Sequence, residues 1–413
     1  MLCAALSCQR PLKAGLAAAT WISSAPENRQ VRRRGSGFMF GWGAVLVRRA
    51  VESSRNRVII PGSTRPRQTR TLNGHMARRW QTMSEERLLD LRLCELELRI
   101  EGSAIEERTV RLDEELAAKG LRFRPHYWVG AEWFTPDGVP GIAIPFFLVH
   151  PKLTELERKQ MLEVEGQNPG ECMRILRHEA GHAIDNAYRL HRRKRWRELF
   201  GSFTDPYPDF YKPRPNSRRF VQHLRGWYAQ AHPAEDFAET FAVWLTPGYP
   251  WRKRYADWPA LEKLEYVDEL MREIADEVPP VRSRRFVEPL GQLRTTLRDY
   301  YRQKHELYAV EWPAYYDRDL RRIFREDLRE ESARLSAAAF LRSQRGDLCR
   351  KVGEAAAVPV YTVDQLLKNM IERCRALHLR LRESPRRTRE AILLMLMMHT
   401  MHVAHAGYPR IAV

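Results

Sequence analysis

The chain has 413 residues, 44% of them hydrophobic, and a formal charge of +18. That length and apolar content suit one or two globular domains. The charge is concentrated at the front: residues 1–82 carry 15 basic side chains against Glu27 and Glu52, which leaves +5 for everything after them and removes most of the case for a molecule-wide nucleic-acid binder, local basic patches aside.

The first 82 residues, with RQVRRRGSG and STRPRQTRTLNG, are Arg-rich and without a sustained period, so disorder is expected there. Lys13 followed by AGLAAATWISSA resembles an export signal, and the composition resembles a transit peptide. The preferred reading is a leader or a mis-assigned start, with the folded protein beginning near Met83. From Met83 to about Gly120, charged and apolar residues mix at helical spacing, which predicts one or two surface helices. HYWVGAEWFTPDGVPGIAIPFFLVHP at 126–151 is aromatic and β-branched, with a turn signal at Thr135-Pro136-Asp137-Gly138, and predicts a β-hairpin or small sheet.

A helix then starts where Asn168 suits the N-cap, Pro169 the first position and Glu171 the third, and runs to about Leu190. A basic, aromatic, proline-broken connection follows (HRRKRWRELFGSFTDPYPDFYKPRPNSRRF), in which HRRKRWR reads as a solvated face. A second helix starts near Pro233 and stops before Thr246-Pro247-Gly248. Beyond Pro280 the chain is helical and Arg-rich, with caps expected at Thr362 and Ser384. The Tyr/Trp-rich stretch 300–316 and the Met-rich run with His399, His402 and His405 read as core. AILLMLMM at 391–398 is too short to cross a bilayer. The six cysteines are scattered without a C-x-x-C, which suits reduced thiols in the cytoplasm.

The chemistry concentrates in two segments. HEAGHAID at 178–185 contains H-E-x-x-H, and on a helix His178 and His182 share a face, so both imidazoles can reach one tetrahedral zinc. A third protein ligand is required. The metzincin pattern places a Gly and a third His where this chain has Asp185 and Tyr188, which excludes that class. AHPAEDFAETFAVWL instead offers Glu235 and Glu239, one turn apart on an apolar helix, where two carboxylates are costly to bury unless a cation meets them.

Taken together, H-E-x-x-H and the distant Y-x6-E-x-F-A-E-x-F resemble the gluzincin branch that includes the catalytic domain of anthrax lethal factor. The run from RHEAGHAIDNAY to GWYAQAHPAEDFAETFAVWL is similar to the bacterial zinc-binding metallopeptidases. The resemblance covers about 125–250 and implies an α+β, zincin-like core with one Zn2+. It implies His178, His182 and Glu235 as metal ligands, Glu179 as general base and acid toward a zinc-activated water, and Tyr228 beside the scissile carbonyl. Glu239 would orient a ligand imidazole, and Asp185 is a second candidate for that task. It also implies that GIAIPFFLV, 141–149, receives the substrate as an added strand.

These readings divide the chain into a basic leader (1–82), a metallopeptidase domain (83–280) and a helical C-terminal domain (281–413), with a peptide or protein substrate and neither a membrane nor, after residue 83, a nucleic acid as partner. The principal rival is a catalytically inactive zinc-binding domain of the same fold that docks a partner. The weaker rival is a nucleic-acid binder using the leader and the C-terminal helices.

Overall fold

The computed structural model describes residues 80–208, 210–211, 213–308, 316–327, 335–406 and 411–412. Nearly all of the basic leader therefore lies outside the described residues. Folded structure is already present at Trp80, three residues before the expected start. Its indole is buried and donates to the Leu96 carbonyl at 3.1 Å, while Lys152 Nζ reaches the carbonyls of Trp80 and Gln81.

The architecture is a mixture of helices and small sheets. Helices α1 (Glu85–Leu89) and α2 (Ala104–Ala118) come first, then strands β1 (His126–Gly130) and β2 (Gly141–Pro145), then helices α3 (Pro151–Met161), α4 (Pro169–Tyr188) and α5 (Lys194–Phe200). A short strand β3 (Phe210–Tyr211) precedes α6 (Pro233–Leu245), α7 (Trp251–Arg254), α8 (Ala260–Ile274) and α9 (Leu297–Tyr308). The rest comprises α10 (Asp317–Ile323), β4 (Phe324–Glu326), α11 (Ala337–Ala356), α12 (Val360–Ala376), β5 (Leu379–Leu381), α13 (Pro385–Ala406) and β6 (Ile411–Ala412). Strands β3 and β6, and β4 and β5, form antiparallel pairs.

Two hydrophobic clusters organise these elements. The first runs from Trp80 to Tyr301 and the second from Tyr316 to Leu396. Helix α9 thus packs on the first cluster, beyond the 280 boundary drawn from composition. Of the stretch 300–316, Tyr300, Tyr301 and Tyr316 are core, and 309–315 lies outside the described residues. Thr362 does not cap α12: the helix begins at Val360 after Pro359, and the Thr362 hydroxyl donates to the Tyr308 carbonyl instead.

Helix α4 is the axis of the first cluster. The Asn168 side chain accepts from the amides of Gly170 at 2.8 Å and Glu171, so the cap and Pro169 start the helix where the sequence places it. Every residue from Ile175 to Tyr188 is buried, so the helix passes through the core and must satisfy its polar side chains internally. It crosses α6 at Gly181 and Ala238. A methyl group on Gly181 would lie 2.8 Å from Ala238 Cα, so only glycine permits this approach.

The 126–151 region departs from a hairpin. Strands β1 and β2 pair in parallel, from His126 opposite Gly141 to Gly130 opposite Pro145. The ten-residue connection 131–140 runs back along the far edge of β2, where the Ala143 amide donates to the Phe134 carbonyl at 2.9 Å. The Thr135–Gly138 turn is real in kind but joins no hairpin, because tertiary contacts to α4 hold it. β2 ends at Pro145, which has no amide to continue the ladder, and residues 146–148 form a 3-10 turn rather than strand. The segment 141–149 therefore cannot present a free edge over its whole length.

Candidate metal centre

Helix α4 directs His178 and His182 toward α6, and the Gly181–Ala238 crossing lets α6 bring Glu235 between them. His178 Nε2 lies 3.0 Å from Glu235 Oε2, His182 Nε2 lies 3.2 Å from the same oxygen, and the two Nε2 atoms are 3.1 Å apart. Ligand bonds of about 2.0–2.1 Å around a tetrahedral ion separate neighbouring donors by a little over 3 Å, so this triangle fits Zn2+. Among the described residues it is the one His/Cys/Asp/Glu group whose donor atoms converge in this way.

The surroundings orient the donors. Glu239 Oε1 lies 2.9 Å from His178 Nδ1, which orients the ring so that Nε2 faces Glu235. The other Glu239 oxygen accepts the Leu224 amide at 2.9 Å. Burial disfavours a charged His178, but the hydrogen bonds and charges of Glu235 and Glu239 outweigh it and hold its pKa up at about 10. Burial likewise opposes ionisation of Glu235, yet His182 and His178 keep its carboxyl well below the ordinary range. Glu235 is thus a buried carboxylate whose charge is met by the two imidazoles.

Glu179, the next residue on α4, is buried. Its Oε2 accepts a 2.8 Å hydrogen bond from the Thr135 hydroxyl, and its backbone carbonyl lies 3.3 Å from the same hydroxyl. Tyr228 is also brought in, with its ring 5.5 Å from that of His178. It follows Gly226 and Trp227, both left-handed with φ of 73° and 56°, and the Tyr211 hydroxyl donates to the Gly226 carbonyl at 2.8 Å. For Trp227 this conformation is strained, and the strain is held where it aims the next side chain into the site. Burial, followed by the charge of Glu235, raises the Tyr228 phenol well above its ordinary value, so it stays a donor.

Of the seven residues singled out from sequence, the structure brings His178, Glu179, His182, Tyr228, Glu235 and Glu239 together. Asp185 pairs with His191 rather than with His178 or His182. Its two oxygens accept from the His191 amide at 2.7 Å and meet His191 Nδ1 at 2.8 Å, bracing the chain reversal after α4. Its position one turn beyond His182 rotates it past the donor triangle. HRRKRWR is mixed: Trp196 is in the core, while Arg193 and Arg195 pair with Glu273 and Glu262.

Two contacts at the candidate site escaped sequence reading. Thr135 was absorbed by its turn signal, and no local pattern links it to a helix 44 residues on. Tyr207, in the proline-rich connection, donates to Glu235 Oε1 at 3.0 Å and stacks on His232 with centroids 3.7 Å apart. His232 caps α6 by accepting the Ala234 amide, so one loop fixes both the start of α6 and the Glu235 oxygen that faces away from the imidazoles. Burial and then Glu235 hold the Tyr207 phenol well above its ordinary pKa, as a permanent donor.

Residues 156–247 match a protein family described as putative zinc-binding metallo-peptidase. That span contains the donor triangle, Glu179, Glu239, Tyr228 and Tyr207, and it excludes the 131–140 connection. No curated protein and no solved structure matches the chain. No helix among the described residues is long and apolar enough to cross a membrane.

Proposed function

We propose that this protein is a zinc-dependent peptidase of the gluzincin type, cleaving a peptide or protein substrate with His178, His182 and Glu235 as the metal-holding residues. The convergence of three buried donor atoms at 3.0–3.2 Å carries the reading. The family match over the same residues supports its coarser part. A zinc ion held there supplies Lewis acidity, which acidifies water and polarises a carbonyl.

The chain's own groups divide the remaining work. The Glu179 carboxylate takes a proton from the attacking water and returns it to the leaving amine, with Thr135 fixing the orientation of Oε2. The Tyr228 hydroxyl donates toward the oxyanion that develops on the substrate. Glu239 orients the His178 ring, and Tyr207 satisfies the Glu235 oxygen that does not face the imidazoles. Because Phe134 occupies the far edge of β2 at Ala143, that edge is not open there to an extended substrate.

The test is Glu179→Gln in the full chain. One zinc per chain should remain while hydrolysis of a proteome-derived peptide mixture disappears. Native-rate cleavage by that variant overturns the mechanism. Stoichiometric zinc with an inert wild type would instead favour the partner-binding reading of the same fold.

A further inference from the structure

The connection 131–140 lies along α4 on the side of the donor triangle. Thr135 is fixed to Glu179, and Gly138 is fixed by donating its amide to Asn186 Oδ1 at 3.0 Å. Asn186 Nδ2 also donates to the carbonyls of Pro136 at 3.0 Å and Val139 at 3.3 Å. The turn closes on itself through Val139 N to Pro136 O and Gly141 N to Val139 O. Asp137 is thereby held over the stretch of helix between Glu179 and Asn186, the stretch that carries His182.

One atom of this rigid turn is left over. Asp137 Oδ1 is shielded from solvent and has no hydrogen-bond partner among the described residues. A carboxylate oxygen stripped of water and given nothing in return is costly, and such a group calls for an explanation. The charged groups around it are His182, His191, Asp185 and Glu235. His191 Nδ1 is taken up by Asp185, and His182 belongs to the donor triangle. Asp137 is not one of the converging metal donors. Burial, reinforced by the negative charges of Asp185 and Glu235 and opposed by the two histidines, lifts its carboxyl to about 6. Among the described residues, the two histidines are the cationic groups that act on it.

We propose that Asp137 is a specificity residue that receives an ammonium or guanidinium group of the substrate beside the scissile bond. The inference rests on the metallopeptidase reading, which places a substrate against α4 at this point. Two sources carry that chemistry, a free α-amino terminus and a Lys or Arg side chain. Asp137 lies outside the family-matched span, so the match assigns it no role.

Three metal-directed probes separate the sources without requiring turnover: N-acetyl-norleucine hydroxamate (no cation), norleucine hydroxamate (free α-amine) and N-acetyl-lysine hydroxamate (side-chain cation). Their Kd values are measured by calorimetry on the zinc-loaded full chain, beside Asp137→Asn and Asp137→Ser. Asn suits the same turn and removes only the charge. One cationic probe should bind about 10- to 100-fold more tightly than the neutral one, as a charge-assisted contact in a dry site provides, and the preference should vanish in both variants. Equal binding of all three, binding of none, or a preference that survives in a folded Asp137 variant overturns the proposal. A cation preference in a protein that hydrolyses no peptide would retain the Asp137 site while sinking the peptidase reading. A chain that takes up no zinc overturns both.

Discussion

Gly181→Ala is the most informative perturbation, because it changes no donor and yet strains the geometry that brings the donors together. The added Cβ would sit 2.8 Å from Ala238 Cα, 3.1 Å from its carbonyl oxygen and 3.2 Å from its Cβ, against ordinary contact from 3.4 Å upward. Two of those atoms are backbone, so no rotamer relieves the clash and α6 must retreat by about 0.6 Å. In an exposed helix interior, Gly to Ala would stabilise by about 1 kcal/mol. Overpacking a tight core costs about 1–3 kcal/mol. The two terms leave the metal-free variant between neutral and about 2 kcal/mol less stable. The larger effect falls on metal binding. Glu235 and Glu239 both ride on α6, and ligand bonds tolerate only about 0.2 Å of error, so zinc affinity should drop about 10- to 100-fold, the usual scale for disturbed metal supports. Chelator competition gives the affinity, and melting curves with and without zinc give the stability. Wild-type zinc affinity together with a raised Tm would refute the account of the helix crossing.

Thr135→Val removes the hydroxyl that holds Glu179 and nothing that touches the donors; losing about 1 kcal/mol of orientation should lower kcat roughly five- to tenfold with zinc content and KM unchanged, checked by steady-state kinetics beside metal analysis. Lys304 Nζ is buried at 3.0 Å from both Glu132 and Glu157 and at 3.1 Å from the Tyr300 hydroxyl. Lys304→Met therefore strands two buried carboxylates and should cost about 3–5 kcal/mol in denaturant unfolding, with part recovered by adding Glu157→Gln. Burial, then the charge of Glu132, raises the Glu165 carboxyl from its ordinary 4.5 to about 8. The folded state thus holds this proton more tightly than the unfolded one, so the stability it contributes is present at pH 4.5 and is lost as pH rises through about 8. Melting temperatures across that range should fall less for Glu165→Gln than for wild type, and parallel curves would contradict the assignment.

Much of the site was legible because its signals are local. A capping asparagine followed by proline sets where α4 begins, helical periodicity puts two imidazoles on one face, and a second capped helix carries two acids one turn apart. Each depends on residues within a few positions of one another, which is why the limits of α4 and α6 agree with the sequence reading to within two residues. The reading of 126–151 failed for the complementary reason. A turn signal specifies backbone angles over four residues, but it does not specify which strands those residues join. Here Asn186, about fifty residues away, holds the turn against α4 while the chain doubles back along β2.

Asp185 and Tyr207 show the same division. On a helical wheel Asp185 shares the approximate face of the ligands, yet a few tens of degrees decide whether a short side chain meets an imidazole or the chain reversal beyond it, and here it meets His191. Tyr207 gave no signal, because its value lies in a hydrogen bond to Glu235 across 28 residues of irregular chain. Residue types and their periods determined that a two-histidine, one-carboxylate centre was available to this protein. Whether the donors would meet at about 3 Å was decided by a glycine-to-alanine helix crossing and by loops whose polar groups are satisfied only across the fold. Such contacts are non-local, and their free energy exists only once the chain has closed around them.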